Sequence, residues 1–163
     1  YPNVKAPREH NKEDWQRDDW VDDMVQALDS DRYFRWFDSG DMYTIKLAEK
    51  MLEVMKRTPW VKHWLPTRMY KFTKFQAIID QMDALDNVVV RRSSDSIVGE
   101  ILDAPWSSTI ATSFDAASVK VCEAYQHEGK CNGCRACWDK SVSTIGYVAH
   151  GVKMSKVIKL KIA

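Results

Sequence analysis

The chain contains four cysteines, Cys122, Cys131, Cys134 and Cys137, and all of them fall near the carboxyl end of a 163-residue sequence, in "CEAYQHEGKCNGCRACWDK". Their spacing is C-x8-C-x2-C-x2-C. Three thiolates at i, i+3 and i+6 wrap one face of a cubane and a more distant fourth completes it, which is the ligand logic of a [4Fe–4S] cluster. Gly129 and Gly133 let the backbone bend closely around the sulfurs. Trp138, directly after the last cysteine, is placed to shield such a centre from water. Zinc is the rival reading. "CNGC" resembles a zinc knuckle, Cys122 and Cys137 would supply the other two ligands of a four-cysteine site, and His127 lies in the same segment as an alternative ligand. Two disulfides are a weaker explanation, because no secretory signal precedes them and a chain of this size needs no staples. The expectation is a metal-binding segment at 122–138, with the metal left open between iron–sulfur and zinc.

A second set of residues stands where short apolar runs end. "RYFRWF" runs into Asp38 and Asp41 around Gly40, and "WVKHWLP" runs into Thr67 and Arg68. "NVVVRR" carries Arg91 and Arg92 into Ser93, Ser94 and Asp95, while "TIGYVAH" ends on His150. Turn chemistry accounts for Asp38, Ser39 and Gly40. It does not account for the arginines, and arginines that converge on one edge clamp a phosphate or carboxylate in bidentate fashion. Asp38, Asp41, Arg68, Arg91, Asp95 and His150 are therefore the catalytic candidates.

The elements that must position these residues alternate in period. Residues 12 to 29 read as a helix with Val21, Met24, Val25 and Leu28 on one face, and residues 44 to 57 as another with Ile45, Ala48, Met51, Leu52 and Met55. A third helix starts at Thr73, with Gln76 in capping-box spacing, and carries a stripe of Phe75, Ile78, Ile79, Met82 and Leu85. Strands are expected at 32–37, 60–66, 87–92, 144–150 and 156–162, with two shorter ones around Pro105 between 101 and 121. Strands separated by amphipathic helices mean β-α-β units and a largely parallel sheet. A complete eight-unit barrel needs about 250 residues. The expected fold is thus α/β, one domain over residues 1–163, built as a partial (β/α) barrel or an open, mostly parallel sheet with a carboxyl-terminal metal-binding cysteine loop. Both architectures put chemistry at the carboxyl ends of the strands.

Composition narrows the partners. The net charge is +1, so no global field argues for nucleic acid. The acidic run Asp18, Asp19, Asp22, Asp23 and the basic run Lys153, Lys156, Lys159, Lys161 read as solvated faces. No apolar stretch approaches the roughly 20 residues that span a bilayer, and no signal peptide is evident, so no membrane partner and a cytoplasmic location are expected. Opening on Tyr1 rather than Met is what a fragment or processed product would show. Several conspicuous residues have plain explanations. His10 is expected in solvent and His63 at the surface or hydrogen-bonded. The methionines read as core filler, Trp36, Trp64 and Trp106 as core, and Asp80, Asp83 and Asp86 as a solvated helix face.

The order of "FRWFDSGDMY", "HWLPTRMYK", "VVVRRSSD" and "CEAYQHEGKCNGCRACWDKSVSTIGYVAHG" resembles a family of phage and mobile-element proteins, the gene product eighty-eight type, over about residues 30 to 151. The family pattern has a strand ending in S-G-D, a later strand ending near Y-T-K or T-R, and a closing cysteine cluster followed by a strand and a histidine. The resemblance implies an α/β fold, a viral origin (hence host-cell cytoplasm) and a metal cluster, and it brings no activity with it. It also implies a cysteine-containing segment ahead of "YPNV", which would lie before Tyr1.

Two function classes remain open. One is an enzyme with an iron–sulfur cluster that acts on a phosphorylated or nucleotide-like substrate at the strand ends. The layout resembles radical-SAM enzymes with an auxiliary cluster, but the C-x3-C-x2-C loop they need after their first strand is absent, so radical chemistry is not expected. The other is a zinc-stabilised binding module whose arginines and tryptophans contact nucleic acid or a host protein.

Overall fold

The computed structural model describes residues 5–111 and 119–149. Among the described residues the fold is α/β, with an open, all-parallel sheet of six strands in the order β1-β2-β3-β4-β6-β5, so that β1 and β5 are the outermost of these strands. The strands are β1 (Tyr33–Arg35), β2 (Lys62–Thr67), β3 (Val88–Ser93), β4 (Ser107–Ala111), β5 (Lys120–Val121) and β6 (Thr144–Val148), and the helices are α1 (Lys5–Asp14), α2 (Trp20–Ala27), α3 (Ile45–Arg57) and α4 (Thr73–Asp83). No helix among the described residues is long and apolar enough to cross a membrane.

The chain divides into two compact units. The first comprises Tyr1–His63 with Met69–Val88, the second Trp64–Arg68 with Val89–Ala163.

In the first unit, α3 is the organising helix. Its amphipathic stripe buries Leu47, Ala48, Met51, Leu52, Val54 and Met55. Thr44 caps it, accepting from the amide of Leu47 at 3.1 Å, and Lys56 and Arg57 sit in the last turn, where a cation complements the helix dipole. Helix α4 lays Phe75, Ile78, Ile79 and Met82 into the same core. Full burial of side chains of this size contributes about 1.5–3 kcal/mol each. Four of the methionines expected as filler, Met42, Met51, Met55 and Met82, have no exposure at all, while Met24 and Met69 are half-buried. Asn87 closes the unit, its amide nitrogen lying 3.1–3.2 Å from the carbonyls of Met55 and Thr58, which the end of α3 leaves without helical partners, and of Val61 just beyond.

The expected helix over 12–29 is two helices. The chain breaks at 15–19, where Trp15 turns inward and its indole donates to the Tyr43 hydroxyl at 2.7 Å. Arg17 ties the corner together by pairing with Asp14, Asp19 and Asp23 at 2.6–2.8 Å. The capping box expected at Thr73 is also absent. Phe72 occupies the cap position of α4 and supplies no side-chain bond, and Gln76 donates instead to Asp80.

In the second unit, β4 pairs with β6 over the full length of both, Ser107 opposite Thr144 through Ala111 opposite Val148. The hydroxyls of Ser107 and Thr144 meet at 3.0 Å. Strand β3 reads V-V-V-R-R-S and is buried through Arg92, as a strand covered on both faces must be. Gly146 lies in β6 because the space is taken. A Cβ there would stand 2.7 Å from a methyl of Val119 and 3.1 Å from Cβ of Ala111. Of the strands expected between 101 and 121, β4 begins only after Pro105, and β5 pairs not with β4 but with β6. The strand expected over 156–162 lies outside the described residues.

Candidate functional site

The cysteine segment leaves β5 directly. The amide of Cys122 donates to the carbonyl of Gly146 at 2.7 Å, so the first cysteine is held at the edge of the sheet. A 3-10 turn, Ala124–His127, follows, and the chain then reverses through Glu128 and Gly129, both at positive φ. In "CNGC", Asn132 and Gly133 again both have positive φ, and the amide of Cys134 donates to the carbonyl of Cys131 at 2.8 Å. That is type I′ turn geometry, for which Asn-Gly is the preferred pair. A second 3-10 turn, Ala136–Trp138, drops Cys137 into a small core with Trp64 and Ile145, and the ring of Trp138 meets that of Trp64 edge-on at 5.1 Å.

All four cysteines and His127 line one concavity of about 130 Å³. They do so unequally: Cys131 and Cys134 are exposed, Cys122 is half-buried and Cys137 is buried. Among the described residues, no three His, Cys, Asp or Glu side chains are gathered so as to hold a metal ion. Burial pushes the Cys137 thiol up to about 11, against the opposing influence of the Tyr147 hydroxyl 3.6 Å away and of Arg91. The Tyr147 hydroxyl is likewise raised well above its ordinary range, chiefly by burial.

Arg91 is the structural partner of this segment. Its side chain is wholly buried. Nε donates to the carbonyl of Cys137 at 2.9 Å, Nη2 to those of Ala136 and Asp139 at 2.8 and 3.0 Å, and Nη1 to that of Ser143 at 3.3 Å. One guanidinium fork thus gathers both ends of the loop between the last cysteine and β6. Burial works against its charge, and among the described residues no carboxylate forms an ion pair with it. Asp139 feels the cation, but its carboxylate accepts from the amide and hydroxyl of Ser141 at 2.8 and 2.7 Å. A buried cation that lacks a carboxylate is costly unless something negative stands nearby.

The other strand-end candidates distribute between the units. In the second, Arg68 after β2 and Asp95 after β3 meet at 2.9 Å, both largely exposed. In the first, Asp38 and Asp41 follow β1 and border a cavity of about 490 Å³. Asp38 pairs with Arg8 at 3.3 Å, which holds its carboxyl below the usual range, and Asp41 accepts from the amide of Met42 at 2.8 Å. Gly40, at φ +90°, makes the turn in the left-handed region that glycine adopts freely. His150 lies outside the described residues.

Two arrangements were not foreseen from the sequence, the donation of Arg91 to carbonyls and the closure by Asn87, and of the two places expected for His63 the structure shows the hydrogen-bonded one, in the interior. His63 is completely buried, hydrogen-bonded through Nε2 to the hydroxyl of Thr58 at 2.8 Å and stacked on Trp36. The available signal was the same for His63 and Arg91, a polar residue inside an otherwise apolar strand.

No curated protein and no solved structure matches the chain. The sequence model of one phage-type family, Gene product 88, matches residues 1–140, a span that includes both units' described strand-end residues and all four cysteines. With most of its length so matched, this chain belongs to the Gene product 88 family.

Proposed function

We propose that this protein carries a thiolate-held metal centre, a [4Fe–4S] cluster ligated by Cys122, Cys131, Cys134 and Cys137, and acts on a phosphorylated or nucleotide-like substrate at the carboxyl ends of its strands. The observation that carries the reading is that every cysteine in the chain lines one concavity. The donor set suits the group: thiolates at C-x2-C-x2-C spacing plus one from a neighbouring element are the ligands such a cluster takes. The loop suits it as well, since two left-handed pairs, Glu128-Gly129 and Asn132-Gly133, bend the backbone tightly on either side of Cys131. Arg91 supports the charge balance. Four thiolates around a metal centre are net negative, and the neighbouring cation has no carboxylate of its own among the described residues. Because Cys131 and Cys134 are exposed while Cys137 is buried, binding of a metal by all four thiolates would couple ligation to ordering of the segment. When bound, the cluster supplies electron transfer or a Lewis-acidic iron. On the substrate side, Arg68 and Asp95 are the strand-end pair that would meet a phosphate and a sugar hydroxyl.

Zinc is the second reading, favoured by the type I′ geometry of "CNGC", which presents two thiols on a tight knuckle. It would make the chain a zinc-stabilised module that binds nucleic acid or a host protein. Anaerobic purification with metal and sulfide analysis decides between them. Brown protein with broad absorbance near about 400 nm, bleached by dithionite, and iron and sulfide in equal amounts is the expected result. Colourless protein with one zinc per chain would establish the second reading, and protein that retains neither metal would overturn both.

A further inference from the structure

The cavity of about 490 Å³ in the first unit falls within the size range of small-molecule sites and lies where such sites form, beyond the carboxyl end of a parallel strand. Its walls are largely aromatic: Trp15, Trp20, Phe34, Trp36, Phe37 and Tyr43. These rings are braced rather than loose. Trp15 and Tyr43 pack edge-on at 6.1 Å and share a hydrogen bond, Tyr43 in turn donates to the carbonyl of Lys12 at 3.0 Å, and Phe34 meets Trp36 edge-on at 5.0 Å. The loop after β1 is strained at the wall. Phe37 has φ +55°, a left-handed conformation that bulky side chains avoid and that persists where the surroundings impose it. The rim has two signs. Asp38 and Asp41 stand on this loop, and Arg8 and Lys12 project from α1.

We infer that this cavity binds a nucleobase, in the form of a nucleoside or mononucleotide, with the flat base between the aromatic walls, its amino edge on the carboxylates of Asp38 and Asp41, and any phosphate toward Arg8 and Lys12. Aromatic walls offer stacking to every base, because each has a π-face. A carboxylate accepts well from an exocyclic amino group, whereas uracil offers a single N3–H flanked by two carbonyl oxygens that repel a carboxylate, so the rim favours bases that carry an amino group. The inference rests on the nucleotide-like substrate class proposed above, but it gives a nucleotide its own site in the first unit, separate from the Arg68–Asp95 pair, and does not depend on the thiols or their metal.

The test is calorimetric titration of the full chain, as purified and after metal removal, with the 5′-monophosphates of guanosine, adenosine, cytidine and uridine, and with choline as a control cation. Saturable binding in both preparations is expected, with the amino-bearing bases at least tenfold tighter than uridine monophosphate. Asp41→Asn, which can still accept from the Met42 amide, should erase most of that discrimination. Trp20→Ala should weaken all bases at least tenfold, with far-UV circular dichroism confirming that each variant is folded. Binding of the bases that neither variant alters would overturn the cavity assignment and leave the substrate class standing. No saturable binding of any nucleotide would overturn both. Choline binding as tightly as the bases would overturn the nucleobase assignment in favour of a cation cage.

Discussion

The guanidinium of Arg91 donates from Nε to the main-chain carbonyl of Cys137 at 2.9 Å, and its other nitrogens reach three further carbonyls on the same loop. The loop that presents the last cysteine is therefore held by a side chain from β3, a neighbour about 45 residues away in sequence. Replacing Arg91 by Leu leaves those carbonyls without their donors, and each buried unsatisfied group costs about 1–3 kcal/mol. Urea unfolding of Arg91→Leu should show a loss of about 3 kcal/mol or more. Arg91→Lys should recover only part of it, because one ammonium cannot reproduce a planar fork. Equal stability of the lysine variant and the parent would refute this account of the loop.

His63 makes stability depend on pH. Burial lowers its folded pKa to about 4, against an ordinary 6.5, with the hydrogen bond at Thr58 opposing. The unfolded chain therefore binds the proton more readily than the folded one. Stability is complete above pH 6.5, declines as pH falls from 6.5 toward 4, and the total decline is about 3 kcal/mol. His63→Gln cannot titrate, and its unfolding free energy should be flatter across that window. Parallel curves for the two proteins would assign the acid sensitivity elsewhere.

Two glycines with nearly the same backbone angle should differ in tolerance. Gly40 and Gly99 stand at φ +90° and +87°, but a Cβ at Gly40 meets nothing within 4 Å, whereas one at Gly99 lies 2.8 Å from the carbonyl oxygen of Ile110. Gly40→Ala should cost only the left-handed penalty, about 1–2 kcal/mol. Gly99→Ala must also move backbone and should cost more, as thermal melts of the two variants would show.

The four cysteines should separate when replaced by serine. Without metal, Cys131→Ser changes an exposed side chain and should stay within about 0.5 kcal/mol of the parent. Cys137→Ser places a hydroxyl in the core beside Trp64 and Ile145 and should cost about 1–3 kcal/mol. Metal content should rank differently. Loss of Cys131, Cys134 or Cys137 should abolish it, and loss of Cys122, for which His127 or water can substitute, should leave a labile remainder. Full metal retention in all four variants would end the metal reading.

Asn87 gives a prediction that no motif suggested. Its amide closes the carbonyls at the end of α3 onto the approach to β2. Asn87→Ala should lower stability by about 1–3 kcal/mol in denaturant unfolding, whereas most changes at the exposed Asp86 beside it should be neutral.

Periodicity was enough to place α3, α4 and the α/β class, because a stripe such as Met51, Leu52 and Met55 has one stable use, burial against another element. Turn chemistry likewise placed a turn at Asp38, Ser39 and Gly40, where Gly40 stands at φ +90°. It failed at Trp15, where a helix expected to run on is broken by a side chain that finds its partner 28 residues later. The bunching of the cysteines was plain in the sequence. Their unequal exposure was not, since it depends on how 3-10 turns set Cys137 against Trp64 while Cys131 and Cys134 stay on an outward turn. Arg91 shows the limit most clearly. From its position after V-V-V it read as a strand-end cation available to a ligand, and only the tertiary structure surrounds it with four carbonyls. The sequence alone specifies which residues can carry charge, thiolate or ring. Burial and hydrogen-bond partners come from segments far apart in the chain, so the tertiary structure decides which of those groups hold the fold and which remain for a ligand.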